Sequence, residues 1–154
     1  MKYYMISLKE EYFERILDGT KSFEFRRVFA SSLQEPFLCA IYISSPVQAI
    51  RGVIYFDKPI KDSIDGLLEL ARKSNYPFIE SVKDYFNEKN TGYALPVINT
   101  RLFKKPIRLK DVQEIYPKFR PPQSFYCLEN KQFLKIRDYI DKYESRNEIN
   151  QRSF

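Results

Sequence analysis

The chain has 154 residues, with 26 Lys and Arg against 20 Asp and Glu, a formal charge of +6, and no histidine. Without an imidazole, a Ser-His-Asp triad, a Cys-His dyad, a His-ligated zinc or iron site and a histidine pH switch are all excluded. Its 4 glycines are too scattered for a phosphate-cradling loop, and Cys39 and Cys127 are too far apart for a CxxC pair.

A chain of this length suits one self-supporting unit. A composition of 44% hydrophobic, 30% charged and 16% aromatic residues favours an ordered, sheet-containing fold with an aromatic core. No apolar run approaches the roughly 20 residues that a membrane-spanning helix needs. Met1 to Glu11 carries charge before any apolar stretch develops, so a secretory signal is not expected. The expectation is a cytoplasmic protein without membrane span, metal or cofactor, its two cysteines reduced and mostly buried.

Tyr3 to Leu8 reads as a strand, and Glu10 to Asp18 as a helix, because Phe13, Ile16 and Leu17 share a face with Tyr12 beside them. Gly19 stands where a left-handed residue closes a helix. Lys21 to Val28 alternates as a strand, Phe23 and Phe25 to one side, Ser22, Glu24 and Arg26 to the other. Leu38 to Ser44 and Val47 to Phe56 are strands joined at Ser45-Pro46, and the second, almost continuously apolar from Val53, is expected to be central. Asp62 to Ser74 is a helix capped by Asp62 or Ser63, with Ile64, Leu67, Leu68 and Ala71 inward. A second helix runs from Pro77 to about Asn87. The corner Asn90 to Gly92 leads into a long strand, Tyr93 to Phe103, followed by a helical turn, Lys110 to Tyr116. Pro121-Pro122 stiffens the approach to a last strand, Gln123 to Leu128. From Lys131, the spacing of Phe133, Ile136, Ile140 and Tyr143 describes an amphipathic helix, and the polar tail beyond Ser145 is expected to fray. Strands that outnumber short helices, with no βαβ rhythm, favour an α+β fold built on a small mixed barrel.

The positive charge is concentrated. Between Arg101 and Arg120 there are seven basic residues against Asp111 and Glu114, a net +5. A segment of that kind attracts polyanions, which makes Arg101, Lys104, Lys105 and Arg108 candidates for phosphate contacts.

The run Ile16-Leu17-Asp18-Gly19-Thr20-Lys21-Ser22-Phe23-Glu24-Phe25-Arg26 resembles the signature of the ASCH domain family, in which a helix ends in Gly and a spaced Lys, Glu and Arg follow, G-x-K-x-x-E-x-R. Ile41 to Gly52 is similar to the family's second block, and Arg120 to Tyr126 to its closing strand. The resemblance implies a PUA-like small mixed β-barrel with flanking short helices over residues 1–130; outside it, 131–154 read as a C-terminal amphipathic helix and polar tail packed on the same domain. It also implies a cleft, related to folds that bind RNA or modified bases.

Lys21, Glu24 and Arg26 then become the candidate cleft residues. Glu24 would accept from the exocyclic N–H groups of a base while Arg26 donates to its acceptors. Tyr42, Tyr93, Phe125 and Tyr126 are candidate stacking rings. The hydroxyls and backbone of Ser44 and Ser45, with Gln123 and Ser124 of the closing block, complete the ligand-binding candidates. The competing structural reading pairs Glu24 with Arg26 or Arg27 merely to close a polar strand face.

One branch of the family is an amidohydrolase of N4-acetylcytidine, with a Lys base and a Thr three positions later. Here Lys21 occupies the first position but Glu24 the second, so the resemblance implies at most a hydrolase working through Lys21 and Glu24. Three functions follow: binding of RNA or a modified nucleoside, with DNA as a second polymer; amidohydrolysis of an N4-acylated cytidine; or a regulatory protein-interaction module using Phe133, Ile136 and Ile140. A ribonuclease would have to work without histidine. The sequence does not fix an oligomeric state.

Overall fold

Alternation along Tyr3–Leu8 sends Tyr4, Ile6 and Leu8 into one core and Tyr3 and Met5 into another, so this strand is buried on both faces. The computed structural model describes residues 1–146 and 149–153. In chain order the elements are β1 (Tyr3–Leu8), α1 (Glu10–Leu17), β2 (Phe23–Arg26), β3 (Phe37–Ile43), β4 (Ala49–Phe56), β5 (Ile60–Ser63), α2 (Ile64–Lys73), α3 (Ile79–Tyr85), β6 (Thr91–Arg108), α4 (Leu109–Ile115), β7 (Phe125–Cys127), a 3₁₀ turn (Lys131–Phe133), α5 (Leu134–Arg146) and β8 (Ile149–Ser153).

The strands form one mixed sheet in the order β2-β6-β4-β3-β1-β7, with β5 and β8 also paired to β6. Among the described residues only β1 and β3 pair in parallel; the other pairs are antiparallel. The sheet curls into a half-barrel flanked by short helices, an α+β PUA-like fold. β6 carries the curl: Tyr93 to Pro96 pair with β2, while Val97 to Arg108 pair with β4. β4 is central, as its apolar run implies, with Val53 in one core and Ile54 and Phe56 in the other.

The core is aromatic. Tyr4, Phe29, Phe37, Phe56 and Phe125 pack with ring centroids 5.0–6.0 Å apart, and such pairs typically add about 0.5–1.5 kcal/mol beyond their burial. The second core lies under α4 and α5. A third holds α2 and α3 against Phe25 and Ala94. Phe133, Ile136 and Ile140 are buried in the second core, so that face of the terminal helix is already covered.

Most elements fall where the periodicity puts them. Ser63 is the α2 cap, its hydroxyl accepting from the Gly66 N–H at 3.1 Å. Two strands differ from expectation. β5 carries too few apolar residues to announce itself, and β8, where fraying was expected, pairs antiparallel with Asn99 to Phe103. Among the described residues no helix is long and apolar enough to cross a membrane.

Cys39 is buried and Cys127 half-buried, and neither forms a disulfide. Burial pushes the Cys39 thiol far up. A water-soluble thiol reagent is therefore expected to label Cys127 first and Cys39 only on unfolding, as peptide mapping after timed alkylation would show. Comparable labelling of both in the folded protein would contradict this packing.

Candidate ligand cleft

The cleft begins with the way α1 stops. Gly19 adopts φ 83°, a left-handed conformation that costs glycine little, and the chain reverses there. The Lys21 N–H then donates to the Arg15 carbonyl at 2.9 Å, and the Thr20 N–H to Asp18 Oδ1 at 2.8 Å. This turn delivers Lys21 to the start of β2, whose alternation directs Phe23 and Phe25 toward the third core and Glu24 and Arg26 to the other side.

Those three side chains meet. Lys21 Nζ donates to Glu24 Oε1 at 2.9 Å, and Arg26 Nη1 to Glu24 Oε2 at 3.1 Å. Glu24 is 3% exposed and Lys21 7%. Burial alone would raise the Glu24 pKa, but the Lys21 ammonium and then the Arg26 guanidinium outweigh it and hold the carboxyl below its ordinary value. Glu24 is therefore ionised at neutral pH, and the triad carries one net positive charge.

Arg26 reaches further. Its Nη2 donates to the Ser124 carbonyl at 2.7 Å and its Nη1 to the Ser7 carbonyl at 3.4 Å. One guanidinium thus joins β2, at one end of the sheet order, to β1 and the segment entering β7 at the other. The triad is both the latch of the half-barrel and the floor of a cleft.

That cleft has a volume of about 210 Å³ and is lined by Lys21, Glu24 and Arg26, by Ser7, Leu8 and Lys9 at the end of β1, and by Tyr12, Tyr76 and Tyr85 with Phe25, Ser81 and Val82. Three tyrosines around a charged floor can sandwich a flat, polar-edged ring. Each oxygen of Glu24 accepts from one cation, Oε1 from Lys21 and Oε2 from Arg26. The carboxylate thereby holds the two cations side by side at the cleft floor. Lys21 likewise sits in ion-pair geometry with Glu24, not in that of a free base.

Other candidates fall elsewhere. Tyr42 is 2% exposed and points into the second core, on the strand position opposite Ser7; it does not line the cleft. Tyr93 and Phe125 belong to the first core, and Tyr126 stacks on Phe133 in the second. Ser44 is close by, its backbone N–H donating to the Leu8 carbonyl at 3.0 Å, and exposed Ser45 follows it. Ser124 touches the triad through its carbonyl, whereas Gln123 is exposed and outside the cleft. Arg101 pairs with Glu144 of α5 at 3.2 Å. Lys104 and Lys105 lie where β6 departs from register with β4, between Leu102 opposite Gly52 and Ile107 opposite Ile50; with Arg108 they are exposed and do not line the cleft.

The rings that do line it were not among the candidates. Tyr12 flanks the apolar face of α1, a position that hinted at a role outside the core. Tyr76 lies in the α2–α3 connection and Tyr85 ends α3, and only the tertiary fold brings the two over β2.

With this geometry in place, likeness to known proteins becomes informative. No family model matches the chain. A protein from Zymomonas mobilis named "ASCH domain-containing ribonuclease" is 29% identical over 141 residues, spanning 86% of this chain and 88% of its own length. The crystal structure of ASCH from Zymomonas mobilis superposes with a TM-score of 0.75 at 26% identity, covering 89% of this chain and 94% of that one. Sequence and fold together support an ASCH domain. A form of the Zymomonas mobilis protein with one tyrosine replaced by phenylalanine gives a TM-score of 0.76 at 25% identity, over 92% of this chain and 98% of that one. In ASCH terms, the Gly-Lys-Glu-Arg signature here is Gly19, Lys21, Glu24 and Arg26, and its three charged members form a single buried cluster.

Proposed function

We propose that this ASCH domain binds single-stranded RNA, holding one nucleotide in the cleft through Lys21 and Arg26 and the rings of Tyr12, Tyr76 and Tyr85. The observation that carries the reading is a buried, net-positive triad at the floor of a tyrosine-walled cleft. Stacking accepts any base, while N–H donors select a carbonyl or phosphate oxygen. The name of the Zymomonas mobilis relative supports RNA as the polymer. Arg101, Lys104, Lys105 and Arg108 supply sequence-independent phosphate contacts outside the cleft. Such a role fits a cytoplasmic protein.

The affinity for a short single-stranded RNA is expected to fall steeply with salt. Changing Lys104, Lys105 and Arg108 together to Ala should reduce the slope of log affinity against log salt by about 2, since each contact to a single strand contributes roughly 0.7. Salt-independent binding, or none, removes this reading, and equal binding of a matched DNA oligomer removes its preference for RNA. Two further outcomes would redirect it. Shortening of the RNA during the assay would make the domain a ribonuclease like its named relative, and cytidine release from N4-acylated cytidines would make it an amidohydrolase using Lys21. The Glu24 carboxylate at 2.9 Å from Lys21 favours binding over amidohydrolysis, which would need Lys21 as a free base.

A further inference from the structure

A run of ring and cation contacts leads from the cleft floor to the surface. Lys21 Nζ lies 5.0 Å from the centre of the Tyr12 ring. The Arg15 guanidinium lies 5.4 Å from that same ring and 3.8 Å from the ring of Phe78. Arg15 also donates to the Tyr76 hydroxyl at 3.1 Å, and the Tyr76 and Phe78 rings meet edge-on with centroids 5.6 Å apart. Two cleft walls, Tyr12 and Tyr76, are thus tied to one exterior pair, Arg15 and Phe78.

Phe78 is 41% exposed, and among the described residues it is the one aromatic side chain that is neither buried nor half-buried. Where the other described rings are at least half-buried, a phenyl group left in water and fixed beside a guanidinium is a prepared stacking surface. The surrounding charge suits a phosphodiester. Lys9 is exposed at the cleft lining, and Arg15 is held only loosely by Glu11, at 3.9 Å. A guanidinium next to a ring offers both a plane for a base and N–H groups for the phosphate beside it.

We infer that Arg15 and Phe78 form a second stacking position, for the nucleotide adjoining the one in the cleft, so that the ligand is an oligonucleotide of at least two residues and not a free nucleoside. This rests on the cleft reading above and extends it. The connection through Tyr12 and Tyr76 places the second base one ring away from the first, as in single strands whose bases are splayed onto successive aromatic side chains.

Calorimetric titration of the full chain with nucleoside 3′,5′-bisphosphates of the four bases, and with dinucleotides of the same charge, tests this. The dinucleotides should bind roughly tenfold tighter, the size of one added base–aromatic stack. A dinucleotide whose second residue is abasic should lose that gain. The ratio of dinucleotide to mononucleotide affinity should fall toward one in Phe78→Ala and in Phe78→Leu, which keeps apolar bulk without a ring face, and should recover in Phe78→Tyr. A ratio near one in the unaltered chain overturns the second position while leaving the cleft reading intact. So does a gain that survives Phe78→Leu. Absence of binding by both mono- and dinucleotides overturns the cleft reading, and the second position with it.

Discussion

Replacing Glu24 by Gln is expected to destabilise the protein by about 3–5 kcal/mol, measured by denaturant unfolding at neutral pH, because it removes one member of a buried ionic cluster. The carboxylate is the sole negative charge between two cations, at 2.9 and 3.1 Å, with Lys21 and Arg26 side chains only 9% and 11% exposed. Gln keeps the shape, loses the charge, and presents an amide N–H to one of the two cations. Lys21→Met should cost less, since Arg26 still neutralises Glu24. Arg26→Lys should cost more than its preserved charge suggests, because an ammonium cannot hold Glu24, Ser7 and Ser124 together as the planar guanidinium does.

The same cluster sets a pH dependence. The folded Glu24 carboxyl titrates below its ordinary value of 4.5. Its contribution to stability is therefore complete above that value and is lost as pH falls from there through the depressed folded value. The unaltered chain should lose stability steeply on acidification below pH 4.5, and E24Q should lack this component, so the two unfolding curves converge in acid. Parallel loss in both proteins would mean that the acid sensitivity arises elsewhere.

How much of this was legible in the sequence depends on the range of each interaction. The pairing of Glu24 with Arg26 was readable because it is local: a two-residue alternation puts both on one face of β2, whereas Lys21, an odd number of residues away, reaches Glu24 from the turn that left-handed Gly19 makes before the strand. The α2 cap and the burial of β4 were readable for the same reason. The latch was not, because Arg26 finds its carbonyls at Ser7 and Ser124 only after the sheet has curled. Nor were the cleft walls. With so many tyrosines in the chain, nothing local separates Tyr85, which lines the cleft, from Tyr42, whose strand alternation buries it in the second core. Glu24 was read as a base-reading acceptor because its neighbours along the strand suggest a polar edge. What the strand pattern does not give is its burial between two cations, which needs the folded cleft.

Gly52→Ala is expected to cost about 3 kcal/mol, at the upper end of overpacking penalties, although its side chain is only one methyl larger. The second sequence block ends at this residue, and its conformation is not the reason: no left-handed φ is involved. What matters is the approach of another strand, since a Cβ here would lie 2.2 Å from the Arg101 carbonyl oxygen, a main-chain atom that cannot rotate away. Either β4 or β6 must shift, and both are central to the sheet. The position also sits where β6 leaves register, so the shift would fall on the stretch bearing Arg101, Lys104 and Lys105, while Tyr93 to Pro96, which hold β2 and the cleft floor, pair beyond it. The expected outcome is thus divided: lower thermal stability and weakened salt-dependent RNA affinity, with the mononucleotide affinity of the surviving folded fraction retained. Equal loss of both affinities in folded G52A would show that the two halves of β6 do not act separately.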